Sequence, residues 1–393
     1  MIDLNDKRCT ACGSCVQKCP QRCLSLAEDG NGFLFPSVSI DKCTNCDLCV
    51  KVCPIGTSKN ADYIQKSYAC INVDGEVLLN ATSGGVFGAI AEYVLNQGGV
   101  AYGCAYSGHL KAEHIRVEDG KSLSRLFGSK YVQSHTKDTF SQCESDLKEG
   151  RLVLYSGTPC QIAGLKKFLI KDYSNLITVD LVCHGVASQA YFDKFIDYLE
   201  QKENAVCIDY NFRSKKNAGW SVAGVAGFKD KNGKYFEKKQ YYFSNYYYFY
   251  YLNCAVYRDS CYSCEYANLS REGDFTLGDL WGAEGLSLDF STDNGCSLVL
   301  VNTKKAQGIF ERLKLQSKEI SIEAATKNNS QLKFPSKSRF DREKLFREFR
   351  QESAGVIQKR FVNDNLKAIF IGRLKYFIPL KLKKVLLKLR YRK

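Results

Sequence analysis

Cysteine spacing is where this sequence concentrates its chemistry. Residues 9–20 read "CTACGSCVQKCP", with Cys9, Cys12, Cys15 and Cys19 ahead of Pro20. Residues 43–54 read "CTNCDLCVKVCP", with Cys43, Cys46, Cys49 and Cys53 ahead of Pro54. In such a run three closely spaced thiolates wrap one face of an iron–sulfur cubane, and the fourth, before the proline, reaches across to a second cubane. On that spacing Cys9, Cys12, Cys15 and Cys53 hold one 4Fe–4S cluster, and Cys43, Cys46, Cys49 and Cys19 hold another. A pair of zinc sites is the competing use of eight thiolates; two full copies of the run, both with the proline, favour clusters.

The repeated run is that of bacterial two-cluster ferredoxins, so residues 1–60 read as a ferredoxin-like domain that passes electrons to something else. One candidate lies further on, where "SCYSCEYA" supplies Cys261 and Cys264, half of a metal site. "RLVLYSGTPCQ" predicts a strand over 152–155 and a tight loop presenting Cys160, and "IAGLKKFLI" then has helical spacing. "LITVDLVCHG" predicts a buried strand ending at Cys183 and His184. Strand, helix and strand of this length make a βαβ unit, whose carboxyl edge is where open α/β sheets bind ligands. Cys160, Cys183, Cys261 and Cys264 are therefore expected to hold a third 4Fe–4S cluster, with a zinc site or a redox dithiol at Cys261 and Cys264 as alternatives. The other seven cysteines, Cys23, Cys70, Cys104, Cys143, Cys207, Cys254 and Cys296, read as small core residues.

"ATSGGVFGAIAEYVL" places Ser83, Gly84 and Gly85 before a helical stripe of Val86, Phe87, Ile90, Ala91, Val94 and Leu95. Glycines at a helix start admit a phosphate, and Ser83 could cap the helix; a plain turn and cap is the simpler use. Lys130 and Tyr131 in "GSKYVQS" suit a flavin or phosphate edge, or a solvated lysine beside a packed tyrosine.

Taken together, the chain resembles the coenzyme F-420 hydrogenase/dehydrogenase beta-subunit family, in the ferredoxin-fused bacterial form associated with polysaccharide gene clusters. The resemblance rests on "TSGG" at 82–85, "SKY" at 129–131, "GTPCQIAGL" at 157–165, "DLVCHG" at 180–185, "FRSKKNAGW" at 212–220, "RDSCYSC" at 258–264 and "REGDFTLGDLWG" at 271–282. It implies FAD beside an iron–sulfur cluster, with Ser83, Gly84, Gly85, Lys130 and Tyr131 contacting the flavin, and it supports the third cluster. It also implies electron exchange with an organic substrate or a deazaflavin, and a redox partner protein or low-potential donor. Asp274, Asp279 and Trp281 follow the family pattern and could line the cofactor pocket, or serve as loop-capping aspartates and a packed tryptophan. Arg213 and Arg271 could neutralise phosphates, or form surface ion pairs. His184 could donate a proton to substrate or support the cluster. The readings carried forward are an iron–sulfur flavin oxidoreductase, a deazaflavin dehydrogenase subunit and a non-catalytic electron carrier without flavin.

The expected fold class is α/β, α+β overall. A flavin-binding part over 65–150 and a third-cluster part over 151–330 follow the ferredoxin-like domain, and a basic helical tail spans 331–393. Of 56 Lys/Arg and 42 Asp/Glu, the segment 331–393 carries 19 and 5, which accounts for the whole net charge of +14. The remainder is neutral, which argues against nucleic acid as a partner. From 365 to 393 there are ten basic residues and no acidic one, and Leu382, Val385, Leu386 and Leu389 make an amphipathic helix that predicts peripheral membrane contact or docking on a protein surface. No apolar run approaches the ~20 residues of a spanning helix, and the N-terminus is polar, so a cytoplasmic protein is expected, peripheral on the inner face of the membrane if the basic helix binds there. "YYFSNYYYFYY" at 241–251 reads as a packed helix, or as the lining for a flat or glycosylated substrate.

Overall fold

The structure, a computed structural model, describes residues 3–4, 6–57, 66–216 and 219–378. The amphipathic segment around Leu382–Leu389 lies outside the described residues. At the N-terminus a hairpin of β1 (Leu24–Glu28) and β2 (Leu34–Val38) stands beside two short helices, Ser14–Gln17 and Leu48–Lys51, one in each cysteine run. The runs repeat in backbone as well as sequence. Ala11 and Asn45, equivalent positions, have φ of 51° and 53°, and Gly13 and Asp47 have φ of 86° and 55°. These left-handed turns curl each run around its thiols.

The remaining strands are β3 (Lys66–Asn72), β4 (Val100–Ser107), β5 (Lys111–Val117), β6 (Val153–Gly157), β7 (Leu176–Leu181), β8 (Val206–Asn211), β9 (Ala223–Lys229), β10 (Tyr235–Tyr241), β11 (Phe275–Asp279), β12 (Ser297–Val301) and β13 (Leu315–Ile320). Eight of them form one sheet in the order β13-β3-β12-β11-β7-β6-β4-β5. The expected βαβ unit is present: β6 and β7 pair in parallel, joined by the helix Pro159–Leu169. Thr158 and Gln161 form a capping box and Pro159 occupies the first turn, so the helix starts early. Cys160 consequently sits in the first helical turn and not, as the sequence suggested, on a free loop. β11 runs parallel to β7, so Gly157, Leu181 and Asp279 end at one sheet edge.

A three-stranded sheet, β10-β9-β8, covers an aromatic core. The aromatic run forms the helix Tyr246–Leu252, and Tyr246 through Tyr251 are all buried. A helix apolar on every side must be enclosed, and Phe192, Phe195, Phe212, Phe346 and Phe361 share its cluster. The helices Arg342–Gln351 and Ala354–Asp364 add Phe346, Phe349 and Phe361 to that core. The basic C-terminal segment is thus docked on the protein over that length, not a free tail.

β11 is tied to β7 by buried polar groups. Asp180, wholly buried, accepts from Arg271 Nη2, Glu272 N and Gly273 N at 2.9 Å each. Asp274 accepts from Thr178 N and Thr178 Oγ1 at 2.8 Å and pairs with Lys305. Arg271 and Asp274 are therefore structural here: neither surface ion pairs nor cofactor contacts. Replacing Arg271 by methionine leaves the Asp180 carboxylate buried without its cation, and should cost roughly 3–5 kcal/mol. Urea unfolding of the anaerobic protein reads this; a midpoint unchanged from wild type would contradict it.

Candidate metal centres and cofactor site

Cys9, Cys12, Cys15 and Cys53 line one hollow of about 330 Å³, with Ala11, Gly13, Ser14 and Pro54 among its walls. Cys19, Cys43, Cys46 and Cys49 line a second of about 380 Å³. The fourth cysteine of each run is crossed into the other run's hollow, and Ser14 Oγ, donating to Val52 O at 3.1 Å, holds the two runs together. Burial and the neighbouring thiol charges push Cys15 up to about 12 and raise Cys12 and Cys53. Bare thiolates are costly there, and a bound polycation offsets that cost. The hollows, each lined by the four thiols of one set, fit a cubane.

Cys23 is buried beside Cys15 and Leu24, as the sequence suggested, but it does more than fill space. It lines the second hollow, its Sγ 3.3 Å from Cys19 Sγ. Hydrogen bonding to Cys19 and burial push Cys23 up to about 11. At Cys19 burial works upward, yet hydrogen bonds from Cys23 and nearby backbone N–H groups bring its pKa below the usual range. No spacing rule marks a cysteine four positions past the last of a run, so only the turn into β1 reveals it.

Cys160, Cys183, Cys261 and Cys264 come together at the sheet edge, and each of the first three feels the charge of Cys264. Burial dominates, pushing Cys160 up to about 11 and Cys261 to about 12, with Cys183 raised as well. Among the described residues no group of three or more His, Cys, Asp or Glu side chains is drawn in far enough to hold a single metal ion. The four-sulfur donor set fits a cluster.

This set lies against the first hollow. Gly164, one turn after Cys160 in the Pro159–Leu169 helix, would place a Cβ 2.8 Å from both Cβ and Sγ of Cys12. The Cys160 charge acts on Cys12. Thr136 Oγ1 donates to Cys12 O at 3.0 Å, and Gln133 Nε2 to Thr10 O at 3.2 Å. By contrast, Cys46 of the second hollow is exposed.

On the far side of the thiols, Tyr251 donates to Gly185 O at 3.0 Å and stacks on Tyr131 at 4.6 Å. Arg213 Nη1 donates to Tyr131 Oη at 3.2 Å and to Asp279 Oδ2 at 2.9 Å, while its buried Nη2 has no hydrogen-bond partner. The guanidinium lies 5.0 Å over Trp281, which stacks on Trp220. Lys215 donates to Ser83 O and Leu78 O. Burial brings its pKa down to about 8 against the pull of Asp279. His184 is solvent-exposed, yet crowding by protein lowers its pKa, with Asp279 opposing and Arg213 adding to the effect; such a group stands at a concave surface. The orphaned Arg213 N–H beside planar rings fits an anionic cofactor with a flat ring system.

The glycine cradle is a different matter. A Cβ on Gly84 would lie 2.2 Å from Cys70 O and 2.6 Å from Ser297 N, and Gly84 N donates to Ser297 Oγ. Gly85 is the left-handed N-cap, and Ser83 donates to Cys296 O instead of capping the helix. The glycines serve close packing on β3 and β12, not an open phosphate cradle. Lys130 Nζ donates back to Phe127 O at 2.7 Å and Arg125 O at 3.2 Å. Arg213, Lys215 and Trp220 are the residues that sequence reasoning undervalued; their only signal was the "FRSKKNAGW" motif. Substituting Cys53 by serine should remove about four iron atoms per chain, whereas Cys19→Ser should lose fewer because Cys23 stands beside it. Equal losses by iron assay would refute that role of Cys23.

Residues 8–57 match the family model described as 4Fe-4S dicluster domain. Residues 150–328 match the model for the carboxyl terminus of the Coenzyme F420 hydrogenase/dehydrogenase beta subunit. No curated protein matches the chain. A chain in a structure titled "Xenon derivatization of the F420-reducing [NiFe] hydrogenase complex from Methanosarcina barkeri" is similar at 15% identity and a TM-score of 0.41, over 79% of this chain and 94% of that one. With thiol-lined hollows in the first matched segment and a further four-cysteine set in the second, the chain is an iron–sulfur electron-transfer protein of oxidoreductase type. Over residues 150–328 it is similar to the coenzyme F420 hydrogenase/dehydrogenase beta-subunit family, with a 4Fe-4S dicluster domain ahead at 8–57.

Proposed function

We propose that this protein carries electrons from a low-potential donor, through three 4Fe-4S sites, to FAD and an organic substrate, or in the reverse direction. The ligand sets are Cys9, Cys12, Cys15 and Cys53; Cys19, Cys43, Cys46 and Cys49; and Cys160, Cys183, Cys261 and Cys264. The observation that carries the reading is the contact of Cys12 with the helix that bears Cys160, through Gly164. The exposed Cys46 set then faces the donor, and the Cys12 set lies between it and the interior.

A flavin supplies the exchange between paired and single electrons. Arg213 Nη2 holds its anionic part, Lys215 fixes the Ser83 turn beside it, and Tyr131 and the Trp220–Trp281 stack bound its rings. His184, exposed and within reach of the charges of Asp279 and Arg213, is the residue we assign to proton transfer with substrate. The family match over 150–328 favours a second reading, a deazaflavin as the substrate; reduction of the clusters by reduced deazaflavin would single it out. A place in surface-polysaccharide synthesis rests on the resemblance alone.

Anaerobically purified protein should contain about twelve iron and twelve sulfide per chain, four per cubane, and about one flavin, with both Arg213→Ala and Lys215→Ala reducing flavin content. About eight iron with no flavin would leave an electron carrier in place of an enzyme.

We also propose a cytoplasmic protein held at the inner membrane face. No helix among the described residues is long and apolar enough to cross a membrane. In the helix Leu366–Phe377, Ile369, Gly372 and Tyr376 face the protein, while Leu366, Phe370 and Leu374 are 62%, 63% and 54% exposed. Lys367, Arg373 and Lys375 are exposed around that stripe, the arrangement of an interfacial helix. Phe370→Asp with Leu374→Asp should weaken co-sedimentation of the full chain with phosphatidylglycerol vesicles about tenfold or more at unchanged iron content. Undiminished sedimentation would remove the membrane contact.

A further inference from the structure

Arg258 belongs to the second matched segment but is inserted into the first. Its side chain is buried to 1% exposure. Nε donates to Cys9 O at 2.7 Å, and Nη1 lies 3.5 Å from Gln133 Oε1. The guanidinium rests 4.1 Å over the ring of Phe35. Its backbone belongs to the other cysteine set: Arg258 N donates to Val186 O, three residues past Cys183, and Arg258 O accepts from Cys261 N. One residue thus touches the main chain of both thiol sets.

Its charge has no conventional partner. Among the described residues Arg258 makes no ion pair, and its Nη2, buried, has no hydrogen-bond partner. A buried guanidinium without a counter-ion is strongly disfavoured. The groups whose negative charge acts on it are the thiols of Cys9, Cys261 and Cys160, with Asp29 in a lesser part. Four thiolates around a cubane are net anionic, and more so after reduction. A fixed cation between two such centres therefore favours the reduced form of each, and its free N–H is a donor for thiolate or sulfide sulfur.

We infer that Arg258 is the shared counter-charge of the cluster held by Cys9, Cys12, Cys15 and Cys53 and of the one held by Cys160, Cys183, Cys261 and Cys264. This rests on the three-cluster reading above. Electron exchange between these two centres oxidises one iron site and reduces another. No bond forms or breaks and no proton moves, because Arg258 keeps its proton throughout. Arg258 is a positioning and electrostatic residue, not a catalytic one. The Cys19, Cys43, Cys46 and Cys49 set, which Arg258 does not contact, serves as an internal reference.

The test is an anaerobic redox titration of the full chain followed by electron paramagnetic resonance, with iron counted in every sample. Arg258→Gln should make reduction of two clusters about tenfold less favourable, about 59 mV more negative for one electron, and leave the third cluster where it was. Arg258→Lys should stay near wild type. Should Arg258→Gln fail to retain iron, Gln133→Glu keeps the arginine and sets a carboxylate beside Nη1; it should move the same two midpoints the same way. Three clusters with unmoved midpoints would overturn the role of Arg258 alone, as would an equal shift of all three. A wild-type protein with only two clusters would overturn the three-cluster reading, and the sharing with it.

Discussion

One close approach organises this molecule: the Pro159–Leu169 helix lying on the Cys12 turn, with nothing but a hydrogen at Gly164 between them. Packed protein tolerates no gap and no overlap there. The capping box at Thr158 and Gln161 fixes where the helix begins, and so fixes Cys160 one turn away from the contact. The parallel β6–β7 pair then delivers Cys183 to the same edge, and the Asp180–Arg271 tie aligns β11 beside it. Cys160 and Cys183 are therefore placed by the β6–helix–β7 unit, whereas Cys261 and Cys264 arrive on the connection into β11, at and just past the short helix Asp259–Tyr262.

Much of this was legible in the sequence because it follows from short-range rules. The cysteine runs, each element of the β6–helix–β7 unit, the helix after Gly85 and the aromatic helix all depend on spacing over a dozen residues or fewer. What was not legible depends on long-range contact. Gly84 looks like a phosphate cradle until Cys70 O and Ser297 N, far away in sequence, are found against it. Lys130 looks like a ligand contact until its ammonium is seen to hydrogen-bond nearby carbonyls. Cys23 is one of seven unassigned cysteines until the hairpin turn brings it to Cys19. Sequence patterns report which residue types are available; burial and register decide which of them are already spent.

The buried charges divide on the same line. Asp180 and Arg271 satisfy one another, and with Glu272 and Gly273 N–H groups they complete a closed structural knot. Arg213 and Arg258 are different, since each keeps a buried N–H without a partner. Unsatisfied buried donors are rare because they cost free energy. These two lie beside the stacked tryptophans and the Cys9 main chain, where a bound group would give each a partner.

The N-terminal unit is joined to the rest at many points besides its covalent link. Gln17 accepts from Phe140 N, Ser188 donates to Asn31 O, Thr136 to Cys12 O and Arg258 to Cys9 O. Free ferredoxins meet their acceptors by diffusion, at a rate set by how much of each is present and by the salt that screens their charges. Here that encounter has been made once, during folding. On the proposed three-cluster route, traffic between the two cysteine-bearing units is first-order, indifferent to protein concentration, and closed to a competing acceptor that does not enter through the exposed Cys46 face.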